Sequence, residues 1–326
     1  MREVLGLDGG RPVVGNASSS SGGDVALAEL AETGLQPVAL AGAPPRRRRR
    51  PRRWAILGAV PFFAYISIFL LVPTGELIVK AFETPTGAFT FSNIHDIFQA
   101  PYPSSFEFSL ELSGMSALWG GIAGFLLANA VLHHGLPRWI RPAYLSFSGM
   151  AANFAGVPLG FAFTATLGSL GVVTTLLRHL GITIYPSFSL QGLLGASLVY
   201  LFFQFPLMIL LMIPVIEGLR KEWREASENL GASTFEYWRF VGLPVIAPSL
   251  LGLMVLLFGN AFSAYATADA LGISNLVTIQ IANAVNGNNV YNPQIGDALA
   301  FGMIVIIIVT IVIYSLLQRR TSRWLK

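Results

Sequence analysis

The chain has 326 residues, of which 53% are hydrophobic and only 12% charged, with a formal net charge of +4 and a mean hydropathy of +0.61. A soluble domain carries about 25% charged residues, so this composition excludes one and points to a protein that lives in a bilayer. The absence of cysteine excludes disulfides and cysteine-ligated metals.

Residues 1–53 are rich in Gly, Ala, Ser, Pro and Arg, without a long apolar run, and are expected to form a disordered cytoplasmic arm ending in a basic cluster. Seven of its arginines fall between residues 46 and 53, directly before the first apolar run. That placement accounts for the positive charge through membrane orientation rather than a nucleic-acid partner. Residues 54–72 could be read as a secretory or twin-arginine signal, but the run is long and no small-residue cleavage site follows, so a retained membrane helix is expected.

Further apolar runs, each about the length that crosses a hydrocarbon core as a helix, cover roughly 109–132, 143–170, 192–216, 245–268 and 298–317. No alternation suggests a barrel, so the fold class is all-α, a polytopic membrane bundle of six transmembrane helices occupying residues 54–326. Gly114, Gly120, Gly121 and Gly124 are small positions where another helix can approach closely. Pro206 and Pro214 are expected to kink the fourth span. His133 and His134 are adjacent rather than four apart, which is not the spacing of a metal pair on one helix face.

Six spans put both termini in the cytosol. The 46–53 cluster, Arg138, Arg141, the loop after the fourth span and the 319–326 tail then lie inside, leaving only Lys80 and Arg178 outside. The outer segments at 80–108 and 269–297 are biased to acidic residues, and the second has no Lys or Arg. Polar residues within spans are candidates for lining a pathway: Asn153, Asn260 and Tyr265, with Asp269 at the outer end of the fifth. Gln204 and Thr267 are further candidates, and the simplest role for all such groups is hydrogen bonding between helices.

The loop 217–244 is the most informative stretch. Leu219, Trp223, Ala226 and Leu230 recur at spacings of four, three and four, which places them on one helix face. Gly231 stands where a helix closes with a left-handed residue. Ser233 and Glu236 have the spacing of a capping box, so a second short helix should begin there. Gly242 and Leu243-Pro244 are expected to end it and turn the chain into the fifth span. Trp223, Phe235, Tyr237 and Trp238, interleaved with Arg and Glu, have the composition of a docking surface.

Glu225-Ala226-Ser227, Gly231 four residues later, and Leu243-Pro244 resemble the EAA motif of binding-protein-dependent ABC importer permeases, with Ser227 in place of the second Ala. The likeness is nearest to the type I, MetI-like permeases of the spermidine/putrescine and iron groups, and it covers the chain from about Trp54 onward. It implies a cytoplasmic coupling helix between the fourth and fifth spans, seated on a separate ATPase subunit. In that picture Trp223, Glu225, Ala226, Ser227, Leu230, Gly231, Phe235, Leu243 and Pro244 form the ATPase-coupling set. It further implies a second permease subunit, similar or identical, an extracellular substrate-binding protein, and a prokaryotic cytoplasmic membrane.

The chain itself should then be a transport subunit and not an enzyme. It has no Gly-Lys pair and hence no phosphate loop, so ATP and Mg belong in the partner ATPase, and no cofactor or metal is expected here. The acidic outer segments suit a cationic cargo, for which a polyamine such as spermidine or putrescine is the best match. The alternatives are an ion-coupled secondary transporter and a membrane anchor or receptor that transports nothing. Sparse charge within the spans and the lack of a clear internal repeat weigh against the first.

Overall fold

A computed structural model describes residues 53–133, 139–286 and 294–321. The expected arm at 1–52, His134, Arg138 and the tail beyond 321 lie outside the described residues. The chain divides into two units, 1–61 and 62–326. Among the described residues the first unit holds only the opening turns of the leading helix, and the bundle belongs to the second.

Among the described residues there are no strands beyond a single bridge between Glu83 and Phe89. The helices are α1 (Arg53–Ile66), α2 (Val72–Lys80), α3 (Ser92–Asp96), α4 (Tyr102–His133), α5 (Ile140–Asn153), α6 (Val157–Leu167), α7 (Val172–His179), α8 (Leu193–Glu217), α9 (Lys221–Asn229), α10 (Thr234–Tyr237), α11 (Leu243–Phe262), α12 (Ala266–Ala270), α13 (Val277–Val285) and α14 (Ile295–Thr321). Among the described residues six stretches are long and apolar enough to cross a membrane: Val60–Lys80, Tyr102–Leu132, Val157–His179, Leu193–Glu217, Thr234–Phe262 and Ile295–Arg319. The protein is a multi-pass membrane helix bundle.

Its centre is the pairing of α4 with α8. A Cβ on Gly124 would sit 2.5 Å from Met208 Cβ, and one on Gly120 would sit 2.8 Å from Gln204 Cβ. The two backbones therefore approach to a distance that only glycine permits. Gly121 serves the contact with α11 in the same way, 2.9 Å from Met254 Cε, whereas Gly114 has nothing within 4 Å. Three of the four expected positions are helix contacts and the fourth is not.

Polar side chains reinforce this seam. Gln204 is fully buried, its Nε2 donates to Leu257 O at 2.8 Å, and its Oε1 accepts from Asn260 Nδ2 at 3.2 Å. The Tyr200 hydroxyl donates to Ala264 O at 3.2 Å. These bonds join α8 to α11 and to the residues just after it without a charged group, the arrangement that costs least away from water.

Three features depart from the sequence reading. The third span is not one helix: α5 ends at Asn153 and α6 begins at Val157, with Gly156 at a φ of 82° between them. The fifth is likewise interrupted at 263–265, before α12. The chain does not turn at Leu243-Pro244. Instead α10 runs through a π-helical turn, Trp238–Gly242, directly into α11, and Leu243 is helical.

The same device occurs in the first span, where the π turn Ser67–Leu71 precedes Val72-Pro73 and the helix goes on to Lys80. In both places the N–H just before the proline reaches back five residues, from Val72 to Ser67 O and from Leu243 to Trp238 O. The widened turn makes room for the proline ring and its missing donor, so the helix bulges where it would otherwise break. α8 likewise runs through Pro206 and Pro214 as one helix.

Gly124→Leu, which must displace Met208, is expected to destabilise the bundle by about 1 to 3 kcal/mol. Thermal unfolding in detergent would register this as a lowered midpoint. Gly114→Leu should leave the midpoint unchanged.

Candidate coupling loop and membrane cleft

The loop 217–244 folds as two short helices whose ends are closed by their own residues. α9 ends in a Schellman arrangement: Gly231 has a φ of 81°, Ala232 N–H donates to Ser227 O at 3.0 Å and Gly231 N–H to Glu228 O at 2.9 Å. Two residues on, the expected capping box is present. Ser233 N–H donates to Glu236 Oε2 at 2.7 Å and Glu236 N–H to Ser233 Oγ at 3.3 Å. The joint between the helices is thus rigid, and α10 continues through the π turn into α11. The membrane-spanning stretch Thr234–Phe262 has 29 residues, a continuous rod of about 40 Å at about 1.5 Å per residue.

The aromatic residues of the loop divide into two groups. Trp223 is exposed with the Arg220 guanidinium 5.7 Å from its ring centroid. Leu230 and Phe235 are 88% and 71% exposed, and Ala226 is also exposed. Together they give an apolar outer surface. Tyr237, by contrast, is buried, and Trp238 packs edge-on to Phe125 of α4 at 5.9 Å and sits over Gly242. These two anchor the loop to the bundle rather than offering it for docking. Phe240, 68% exposed, has no signal in the sequence. It lies on the π turn, where a 3.6-residue periodicity does not predict which side chains face outward.

Behind the outer surface lies a polar cleft of about 730 Å³, lined by Arg141, Glu217, Arg220, Lys221, Arg224, Glu225, Glu228 and Tyr237. Arg141, at the start of α5, is paired with Glu217 at the end of α8. Within α9, Arg224 Nε donates to Glu228 Oε1 at 2.9 Å. Glu225 is exposed at the edge of this cleft. Ser227 is half-buried, and its hydroxyl donates to Arg224 O at 2.8 Å. Leu243 and Pro244 are exposed at the foot of α11, directly after the π turn.

The second candidate set falls partly together. Asn260 and Tyr265 line a cleft of about 250 Å³ at the two interrupted spans, with Ala152, Ala155, Gly156, Phe203, Ser263 and Thr267. Asn153 does not line it: its Nδ2 donates to Gly149 O one turn back, at 2.8 Å. Asp269 is exposed on α12 outside the cleft. Gln204 and Thr267 make helix-to-helix bonds, the latter accepting from Gly156 N–H at 2.7 Å. Among the described residues no group of three or more His, Cys, Asp or Glu is placed to hold a metal ion.

Residues 180–326 match the family model described as the binding-protein-dependent transport system inner membrane component. Over these residues, somewhat less than half of its length, the chain resembles that family. The segment holds the whole loop 217–244 and the fifth and sixth spans. The likeness to individual proteins extends beyond this segment. The chain is 24% identical over 271 residues to the spermidine/putrescine transport system permease protein PotB of Haemophilus influenzae, covering 80% of this chain and 93% of that one. It is 28% identical over 166 residues to the thiamine transport system permease protein ThiP of Escherichia coli, covering 51% of this chain and 30% of that one.

Among solved structures, a bacterial ABC transporter involved in import of the acidic polysaccharide alginate superposes with a TM-score of 0.66 at 20% identity, over 82% of this chain and 96% of that one. That likeness is one of fold. The matched family model, the six apolar stretches and the relatives all liken the chain to a permease component of an ABC importer.

Gly231→Val should cost about 1 to 2 kcal/mol of local stability, because a β-branched residue resists the left-handed backbone although nothing crowds the site. Hydrogen exchange of residues 221–237 would detect faster opening. Gly231→Asn, which tolerates that backbone, should exchange nearly as the parent does.

Proposed function

We propose that this permease is the membrane subunit of an ATP-driven importer, working with a second permease subunit, two ATPase subunits and an extracellular binding protein. The observation that carries the reading is the doubly closed helical loop joined without a break to α11. A partner that grips α9 and α10 moves a rod that enters the membrane. Trp223, Ala226, Leu230 and Phe235 form the gripped surface, with Glu225 and its neighbouring arginines setting the orientation. Ser227 and Gly231 act by holding the shape of the loop. ATP and Mg bind the partner, and this chain needs no cofactor of its own.

The basic residues support placement of both termini in the cytosol of a prokaryotic cell, the loop facing inward. A polyamine is the cargo that the chain suits best. The outer segments carry an acidic excess, and Glu107 and Glu111, one turn apart on α4, border an apolar groove of about 580 Å³ beside Phe106 and Phe301. The Haemophilus relative, matched over 271 residues, transports spermidine and putrescine according to its name.

In liposomes holding the complete complex, ATP-dependent spermidine uptake is expected. Leu230→Ala or Phe235→Ala should lower it about tenfold if either is an anchor of the docking surface. Uptake that proceeds without any ATPase, or is driven by an ion gradient alone, would overturn the proposal.

A further inference from the structure

The stripe of α4 that faces away from the bundle carries two carboxylates among apolar neighbours. Glu107, Leu110, Glu111 and Leu118 are all exposed, and Glu107 and Glu111, four apart, lie one above the other on one face. Neither takes part in an ion pair among the described residues. Leu132, near the other end of α4, lines the cleft beside the loop 217–244, so the carboxylates sit at the end of the helix remote from that loop. The stretch Tyr102–Leu132 has 31 residues, about 46 Å at about 1.5 Å per residue, which exceeds a hydrocarbon core of about 30 Å. With Leu132 at the inner boundary, Glu107 and Glu111 fall at the level of the outer headgroups.

Below them an apolar furrow runs between α4 and α14. Its upper part is the groove of about 580 Å³, lined by Phe106, Leu110, Phe301, Val305 and Ile306 beside the two glutamates. The helices meet there: a Cβ on Gly302 would lie 2.9 Å from Phe106 Cζ. One turn deeper on both helices, a second cleft of about 290 Å³ is lined by Gly114, Leu118, Thr310 and Ile313. Gly114, with nothing within 4 Å of where its Cβ would stand, leaves room at the junction of the two. From Glu107 to Leu118 the furrow extends about 16 Å along α4 at about 1.5 Å per residue, close to half of a core of about 30 Å and therefore to the depth of one leaflet.

The two kinds of lining together select the occupant. A soluble polyamine would meet the carboxylates and leave the furrow bare, whereas an apolar helix of another subunit would cover the furrow and leave the carboxylates without a donor. Choline has no N–H to donate, and an anionic headgroup is repelled. A primary ammonium brings three donors and a positive charge, and an acyl chain fills the apolar part.

We propose that this furrow is a binding site for a phospholipid with a primary-ammonium headgroup, its amine held by Glu107 and Glu111 and one acyl chain lying between α4 and α14. Which leaflet the site faces rests on placing the loop 217–244 in the cytosol; the site itself does not. Glu107 and Glu111 thereby hold a lipid amine, and the attraction of cargo rests on the other outer carboxylates.

The complete complex in nanodiscs would be irradiated with trace phosphatidylethanolamine or phosphatidylcholine carrying a diazirine in one acyl chain, and the labelled peptides mapped by mass spectrometry. Labelling within 94–118 and 301–313 should be about threefold higher with the ethanolamine lipid, the modest preference that exposed charge pairs give. Glu107→Gln combined with Glu111→Gln should remove that preference and leave labelling by the choline lipid unchanged. Gly114→Leu should lower labelling of 114–118 by both lipids about threefold. Retained ATP hydrolysis identifies the variants that assemble as the parent does.

Equal labelling of the parent by the two lipids, or a preference that survives both Gln substitutions, would overturn the amine site. A furrow that takes no lipid label would overturn it as well and point to a protein segment lying there. Excess spermidine at matched ionic strength should leave the preference intact; its loss would assign the carboxylates to a soluble amine instead. Labelling requires no transport, so these failures are distinct from a failure of the permease reading, which would appear as absent ATP-dependent uptake in the parent complex.

Discussion

A backbone amide inside a bilayer has no water to bond to, and that constraint governs nearly every irregular feature of this chain. Prolines at positions 73 and 244 would each leave a carbonyl without its donor and press a ring against the turn before. In both cases the helix opens by one residue into a π turn and goes on. Where the backbone does leave the helix, at 154–156 and 263–265, the breaks are paired, and a side-chain hydroxyl accepts the N–H released at Gly156. Buried amides at Gln204 and Asn260 are spent on one another and on Leu257 O.

The π turn before Pro244 has a mechanical consequence. A turn at Leu243-Pro244 would have made the loop a hinge, free to move without disturbing the fifth span. The bulge makes the loop an extension of that span instead. Combined with the Schellman closure at Gly231 and the capping box at Ser233, it leaves few soft dihedrals between the surface of α9 and the outer end of α11. The contacts of Tyr237 and Trp238 with the bundle work in the same direction, holding the foot of the rod against α4.

Division of the loop aromatics follows from size and neighbours rather than from type. Trp223 and Trp238 are the same residue fifteen positions apart, yet one lies on the open face of an amphipathic helix and the other fills the space left by Gly242. Leu230 and Phe235 are presented to water, which is costly for an isolated chain.

Much of this could be read from the chain alone, and the reason is local. Span number, both helices of the coupling loop, the closure at Gly231 and the box at Ser233 and Glu236 depend on hydrophobic run length and on contacts within four or five residues. What the tertiary structure decided depends on residues far apart in sequence. The break in the third span has no strong local signal: Gly156 is one of many glycines, and its conformation is held by Thr267, more than a hundred positions away. The glycines of α4 look alike in sequence, but only those facing Gln204, Met208 and Met254 are contacts. Asn153 and Asn260 are equally polar within spans, and only packing separates the one bonded to its own helix from the one that lines a cleft. Local composition set which segments are apolar enough to cross the membrane, and the meeting of distant segments set where the clefts between them lie.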